Sequence, residues 1–479
     1  MSFQPPVFAP IIAEIFILVM ACVALLFDLF AKERNRILTY LLVQAALIGA
    51  AIITGAHYNE PRFITFNGMF IHDQIASLLK LFIYVTSFAA FWYSYHYLKD
   101  KDIPRGEYYV LGLFCVLGMM LLVSGHSLLT IYLGLEVVSL PLYAMVALQR
   151  NNYQATEAAM KYFIMGSIAS GMLLYGMSMI YGATGHLDIS KITQAINHTP
   201  EQMGLLFAFG LVFIVVGIGF KLAAAPFHMW APDVYQGAPT SVTLFLSSAP
   251  KIAALGMLIR LLITAMPQLH LQWEHLLLIM SVISIGLGNL IAIVQVNIKR
   301  MLAYSAIAHT GYMLLGIIAG TPEGYGSALF YIISYAVMSA AGFGMLTLLS
   351  RTDAEITLIS DLKGLNERNS WLAFLMLIIM FSMIGVPPTV GFFAKFGVIQ
   401  ALINAQHIKL AIFAMIFAVI GAFYYLRVLT IIYFRSAEDN NQIVCTSDAK
   451  LAISINAITL LLLGIFPSSL MTLCRIAFS

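Results

Sequence analysis

Glu136, Lys161, Lys221, Lys251, His309 and Lys395 each interrupt an otherwise apolar run of the 479-residue chain. A charge at the centre of a bilayer costs on the order of 2.5–3.5 kcal/mol on insertion scales. Left unpaired, four lysines and a glutamate would cost about ten kcal/mol or more. Each therefore needs a partner, water or a task. Buried amines and an imidazole that exchange protons suit a transport path rather than covalent chemistry.

The setting of each residue sharpens that reading. Glu136 lies in Leu135-Glu136-Val137-Val138-Ser139-Leu140-Pro141, and Lys161 lies a turn or two into the next apolar run. Neighbouring helices would bring the two into an ion pair, either structural glue or a modulating pair sensed by nearby lysines. Lys221 precedes Ala225-Pro226, and Lys395 follows Pro387-Pro388 and Gly391. A proline inside a span removes a backbone hydrogen bond and frees carbonyls, which is tolerated where protein or water lines a cavity. Two such broken helices point to a transport site. Lys251 follows Ser247-Ser248-Ala249-Pro250, another polar, kinked stretch. His309 stands near Tyr304, Ser305 and Thr310, as a relay or as a histidine bonded between helices. His228, Asp233 and Tyr235 follow the first break and either line a water entrance or fix the broken helix. Glu14, Asp28, Asp73 and Lys80 are expected to serve interfacial or lateral contacts away from the path.

The elements that hold these residues follow from composition. Hydrophobic residues make up 61% of the chain and charged ones 10%, against about 25% charged in soluble domains. Lipid must be the solvent for most of it. A hydrocarbon core of about 30 Å needs about 20 apolar helical residues. Runs of that kind lie near 8–30, 36–57, 69–98, 107–123, 127–149, 155–182, 203–230, 240–264, 273–297, 301–319, 324–350, 371–405, 409–435 and 449–475. The expected fold is an all-α polytopic membrane protein of about fourteen helices in one membrane domain. Residues 1–106 would be peripheral helices, 107–270 a first repeat, 271–435 a second and 436–479 the last helix. The repeat rests on near-constant offsets: Glu136 to His309, Lys221 to Lys395 and Lys251 to Arg427 are 173, 174 and 176 positions apart. Five spans per copy would make the copies inverted.

Loops after odd-numbered spans hold fourteen lysines and arginines, among them Lys32, Arg34, Lys99, Arg150, Lys299 and Arg351, against four on the other side. That bias places both termini on the outer face. The remaining seven basic residues, Lys80, Lys161, Lys221, Lys251, Arg260, Lys395 and Arg427, fall within spans. The opening Met1-Ser2-Phe3-Gln4-Pro5-Pro6 reads as the lead into a retained first span rather than a signal peptide. Cys22, Cys115, Cys445 and Cys474 form no C-x-x-C pair and read as buried, inert thiols. Neither a metal nor a cofactor is expected in this chain, and a net charge of +3 with scattered basic residues argues against nucleic acid.

Two motifs carry a family resemblance. Phe220-Lys221 through Ala225-Pro226-Phe227-His228-Met229-Trp230-Ala231-Pro232-Asp233, with Ala238-Pro239-Thr240, resembles the signature of antiporter-like membrane subunits. These occur in respiratory complex I and in multisubunit cation/proton antiporters. Lys299-Arg300 through Ala303-Tyr304-Ser305, with His309 and Gly311-Tyr312, is similar to the family's tenth-helix motif. The similarity spans essentially the whole chain. Within the family, Pro387-Pro388-x-x-Gly391-Phe392-x-x-Lys395 and the lack of a long lateral helix after the last span mark one branch.

The resemblance implies roles residue by residue. Glu136 and Lys161 would modulate, Lys221 and Lys251 would carry protons inward, and Lys395 would be the exit-side site. Arg427 is matched only through the repeat offset. Apart from the resemblance, packed helices lie about 8–10 Å apart, too far for direct transfer between lysines, so water wires with His309, Tyr304, Ser305 and Ser247 as intermediates are expected. The resemblance implies a translocase subunit of a bacterial inner-membrane complex, without redox chemistry of its own. NADH, FMN, iron–sulfur clusters and quinone would belong to partner subunits, membrane and peripheral. A subunit of a stand-alone cation/proton antiporter or of a membrane-bound hydrogenase complex remains the alternative. Sodium transport would call for clustered carboxylate and carbonyl oxygens, whereas this path is dominated by lysines.

Overall fold

The computed structural model describes residues 7–31, 36–103, 105–198, 204–350, 355–437 and 446–478. Met1–Pro6, Lys32, Arg34, Arg351 and Cys445 lie outside them. In chain order come α1 (Ile12–Phe30), α2 (Arg36–Ala56), a hairpin of β1 (Phe63–Thr65) and β2 (Phe70–His72), α3 (Gln74–Asp100) and α4 (Arg105–Ser124). There follow α5 (Leu128–Val146), α6 (Tyr153–Thr184), α7 (Ile189–His198), α8 (Gly204–Leu222), α9 (Trp230–Gly237), α10 (Thr240–Leu246) and α11 (Ala249–Leu258). A π-helical stretch, Ile259–Thr264, extends α11. Then come α12 (His270–Val294), α13 (Ile298–Ile318), α14 (Pro322–Leu349), α15 (Leu365–Arg368), α16 (Ser370–Ile384), α17 (Val390–Asn404), α18 (Ile408–Phe434), α19 (Ser447–Ile465) and α20 (Ser468–Ile476).

Among the described residues, thirteen helices are long and apolar enough to cross a membrane. The expected span at 371–405 is divided into α16 and α17, each too short to cross alone. Three interruptions shape the centre: α8 to α9, α10 to α11 and α16 to α17. The first residues of the expected span 69–98 form β2 instead. Asn67-Gly68 makes the turn, with both residues at positive φ, as hairpin turns of that dipeptide require. The stretch between the expected spans 155–182 and 203–230 holds the short helix α7.

Apolar residues cannot say which helix lies at the centre; packing does. α13 is buried on every side, and α10–α11 and α14 nearly so. The helices α1, α2, α18 and α19 turn rows of Leu, Ile, Val and Phe outward, among them Leu29, Phe30, Ile52, Val419 and Phe434. Lipid-facing surface of that kind needs no polar rim. The candidate residues Lys221, Lys251, His309 and Lys395 all lie on or against this buried centre.

The break between α16 and α17 needs two glycines. Gly385 ends α16 in the left-handed region at φ 87°, and its N–H bonds the Phe381 carbonyl. Gly391 lets the α17 backbone approach α16 so closely that a Cβ would stand 1.8 Å from the Ser382 carbonyl oxygen. Backbone cannot yield as a side chain can. Gly391→Ala is therefore expected to destabilise the chain by about 1–3 kcal/mol. Thermal unfolding of the detergent-purified assembly checks this, and an unchanged midpoint would contradict the packing described.

Candidate functional site: a chain of amines on interrupted helices

The break after α8 leaves carbonyls without helical partners. Trp230 Nε1 donates to the Phe220 carbonyl at 2.9 Å. The Leu222 carbonyl accepts both Lys251 Nζ, at 2.6 Å, and Thr310 Oγ1, at 2.9 Å. One freed carbonyl thus joins α8, α11 and α13. Lys221, in the last turn of α8, donates to Ser139 Oγ at 2.6 Å. Ser139 lies three residues beyond Glu136 on α5, so the two share a helix face. Between the two lysines lies a cavity of about 20 Å³, room for one water molecule. Lys221, Lys251, Trp230, Tyr162 and Pro250 are among its lining residues. The Trp230 ring sits 5.9 Å from Lys251 Nζ, within reach of a cation–π contact.

The second break repeats this device. Lys395 Nζ donates to the carbonyls of Ile384, at 2.7 Å, and Met383, at 3.2 Å, the last residues of α16. The Tyr312 ring lies 5.3 Å from the same ammonium. Tyr312 stacks on Tyr331, whose hydroxyl bonds His309 Nδ1 at 2.7 Å. His309 Nε2 contacts the Tyr425 hydroxyl at 3.2 Å, and Ser305 completes the cluster through the same hydroxyl. Thr310, next to His309 in the chain, closes the link back to Leu222 and Lys251. Polar groups thus line the buried centre from Ser139 and Lys221, past Lys251 and Thr310, to His309, Tyr331 and Lys395, with no hydrogen bond among the described residues spanning Lys221 to Lys251 or Thr310 to His309.

Residues 125–421 match the protein-family model described as "NADH:quinone oxidoreductase/Mrp antiporter, TM". The "NADH-quinone oxidoreductase subunit N" of Thioalkalivibrio sulfidiphilus is 53% identical over 479 residues, all of this chain and all of that one. The chain belongs to the subunit N branch of this family. A chain of respiratory complex I from Thermus thermophilus, solved with bound aureothin, superposes with a TM-score of 0.81 at 29% identity. That match covers 96% of this chain and 99% of the other. A chain of the Mrp complex from Dietzia superposes at 0.86 over 97% of this chain and 96% of its own, but at 18% identity, so it shares the fold alone.

Within this subunit N chain, several sequence expectations need correction. Lys161 does not pair with Glu136. Tyr162 and Gly166, one turn apart, face α5 and pack on Tyr143. Lys161 is rotated about 100° from that face, and it meets Asp233 and Glu157, each at 2.8 Å. Asp233 also accepts Arg300 Nη1 at 2.6 Å. Burial works against the Asp233 charge, yet bonds from Lys161 and Arg300 hold its carboxyl below the usual carboxylate range. Asp233 thus fixes the short helix after the first break. Glu136 stays partly buried, with Oε1 lacking any partner.

Arg427 is not on the polar line. Its guanidinium donates to the carbonyls of Ile293, at 2.6 Å, and Gln295, at 2.5 Å, and so caps the end of α12. Tyr304 turns its ring to the Arg300 guanidinium rather than to His309. His228 is buried beside the first break, its Nδ1 without a partner. Glu14 and Lys80, expected to serve interfacial or lateral contacts away from the path, form an ion pair buried between α1 and α3. Asp28 accepts Thr39 Oγ1 at 2.9 Å, tying α1 to α2. Cys22 is exposed, whereas Cys115 and Cys474 are buried.

Sequence reasoning missed Ser139, Trp230, Tyr331 and Tyr425 as site residues, and named Thr310 only as a neighbour of His309. Thr310 and Trp230 lie inside the two motifs and were open to notice. A hydroxyl in a span such as Ser139 or Tyr425 carries no signal by itself, because packing decides what it faces.

Proposed function

We propose that this chain is the proton-translocating, antiporter-like membrane subunit of an NADH:quinone oxidoreductase. The observation that carries this reading is the paired use of broken helices: freed carbonyls hold Lys251 and Lys395, and a water-sized cavity separates Lys221 from Lys251. Packed helices lie about 8–10 Å apart, so amines must pass protons through hydroxyls and single waters. Ser139, Thr310, His309, Tyr331 and Tyr425 supply groups that both donate and accept. Lys161, held by Asp233 in this conformation, is the movable member of the modulating set. A shift toward Glu136 would change the field at Lys221 and with it the readiness to hold a proton.

The same reading includes fourteen spans, with α16 and α17 together forming one of them. It includes two inverted repeats divided as 107–270 and 271–435, and both termini on the outer face, as the loop charges argue. NADH oxidation and quinone reduction belong to partner subunits, which would hold the FMN, iron–sulfur clusters, NADH and quinone. This chain converts their signal into proton movement along the amines.

Sodium provides the test. The complete complex, reconstituted in proteoliposomes, is expected to acidify the far compartment at the same NADH-driven rate with and without sodium. Pumping that stops in sodium-free buffer and returns with added sodium would overturn the proton reading.

A further inference from the structure

Glu355 carries a cluster of donors that the amine line does not use. Its Oε1 accepts Thr240 Oγ1 at 2.5 Å, the Tyr97 hydroxyl at 3.0 Å and Lys299 Nζ at 3.4 Å. Those donors come from α10, α3 and α13. The Tyr97 hydroxyl also accepts the Thr240 N–H at 3.1 Å, and Lys299 donates to the Ala238 carbonyl at 3.0 Å. Glu355 belongs to the loop after α14, on the side of the basic loops, and keeps 23% of its side chain open. It joins that face to a buried network.

From Thr240 further hydroxyls follow inward along α10; Thr243 donates to the Tyr235 carbonyl at 3.1 Å and Ser247 to the Leu244 carbonyl at 3.2 Å, so a relay along them needs waters between. Thr240, Thr243 and Ser247 stand at i, i+3 and i+7, so their hydroxyls share one helix face. Ser247 accepts from Ser339 Oγ of α14 at 2.8 Å. The chain then breaks at Ser248, and Lys251 follows in the first turn of α11. From Thr240 to Lys251 the rise is about 16 Å at helical pitch. Every hydroxyl on this face can donate one proton while accepting another.

We propose that Glu355 is the proton-loading carboxylate of a half-path from the basic-loop face to Lys251, with Thr240, Thr243 and Ser247 as its inner relay. This rests on the proton-translocating reading above. A loop clamp needs one firm donor. Three donors on a single oxygen, two of them hydroxyls that can reverse direction, suit a group that passes protons on. Burial disfavours the Glu355 charge, but Lys299 and the bonds from Thr240 and Tyr97 outweigh it and hold the carboxyl below its usual range. The group is therefore ionised near neutrality and keeps a proton only in passing. The titratable groups facing it are Lys299 on α13 and Tyr97 on α3; α10 contributes only the Thr240 hydroxyl.

The test uses the whole complex in proteoliposomes, with NADH-driven pumping followed from acid to alkaline buffer. Glu355→Gln is expected to slow pumping about tenfold in alkaline buffer, where protons are scarce, and much less in acid. Glu355→Asp should restore most of the rate, which a loop clamp of fixed geometry would not predict. Ser247→Ala, far from the loop, should show the same alkaline-selective loss and add little to Glu355→Gln. Should Glu355→Gln fail to assemble, Ser247→Ala and Thr240→Val decide between relay and clamp by the same pH dependence. A loss equal at every pH, or full-rate pumping by these variants while Lys221→Ala is inactive, overturns the loading role alone. Full-rate pumping by Lys221→Ala overturns the reading beneath it.

Discussion

Lys221→Ala is expected to cut NADH-driven proton pumping about a hundredfold while the complex still assembles. Lys221 is the group between Ser139 on the Glu136 side and the water-sized cavity on the Lys251 side. Without its amine, a proton must cross that gap as a hydrated ion in an apolar setting. A charge at membrane mid-depth costs on the order of 2.5–3.5 kcal/mol, which is about two decades in rate. Of the described polar side chains lining that cavity besides the two lysines, Trp230 offers only a donor, engaged by the Phe220 carbonyl, and Tyr162 offers a hydroxyl but no basic group. Alanine also leaves space beside Ser139, so Lys221→Met, which keeps most of the volume, separates lost chemistry from lost packing. Both variants should fail alike in a fluorescence assay of the proton gradient, with assembly confirmed on native gels. A stably assembled Lys221→Ala complex that pumps at the normal rate would remove the amine line as the proton route.

The lysines were legible in the sequence because a charge inside an apolar run is anomalous wherever it occurs. The breaks were legible for the same kind of reason: Pro226, Pro387 and Pro388 each remove a helical hydrogen bond inside an apolar run. The partners were not. Which face of α6 turns to α5 depends on how the helices pack, and a rotation of one residue sends Lys161 to Asp233 instead of Glu136. Arg427 shows the limit of the offset argument. Its spacing from Lys251 matches the other pairs, yet its guanidinium meets the open end of α12 and binds backbone there. Glu355 gave no signal because an acid in a polar loop is ordinary; only the convergence of α3, α10 and α13 distinguishes it.

Arg260→Met is expected to destabilise the chain by about 3–5 kcal/mol, the cost of leaving a buried partner charge uncompensated. Arg260 stands in the π-helical stretch that continues α11, and such stretches often mark functional sites. Its guanidinium places two parallel bonds on Asp73, both at 2.7 Å, and a third from Nε on the Val123 carbonyl at 2.9 Å. Asp73 in turn caps α3 by accepting the Ala76 N–H at 2.8 Å. Burial pushes the Asp73 carboxyl up, and Arg260 more than reverses this, holding it below its usual value. A depressed carboxylate stabilises the fold above the ordinary aspartate pKa of about 3.9 and loses that contribution as pH falls through the folded value. The stabilisation is thus present throughout the neutral range, and Arg260→Met removes it there. Asp73→Asn keeps an oxygen for the cap while deleting the charge. The double variant Arg260→Met/Asp73→Asn should therefore recover most of the loss, since removing both charges costs far less than stranding one. Thermal unfolding of the detergent-purified complex and the yield of assembled chain measure both steps. If the double variant is no more stable than Arg260→Met alone, the damage comes from the Val123 carbonyl and the lost packing, and the ion pair is not what locks α11 to α3.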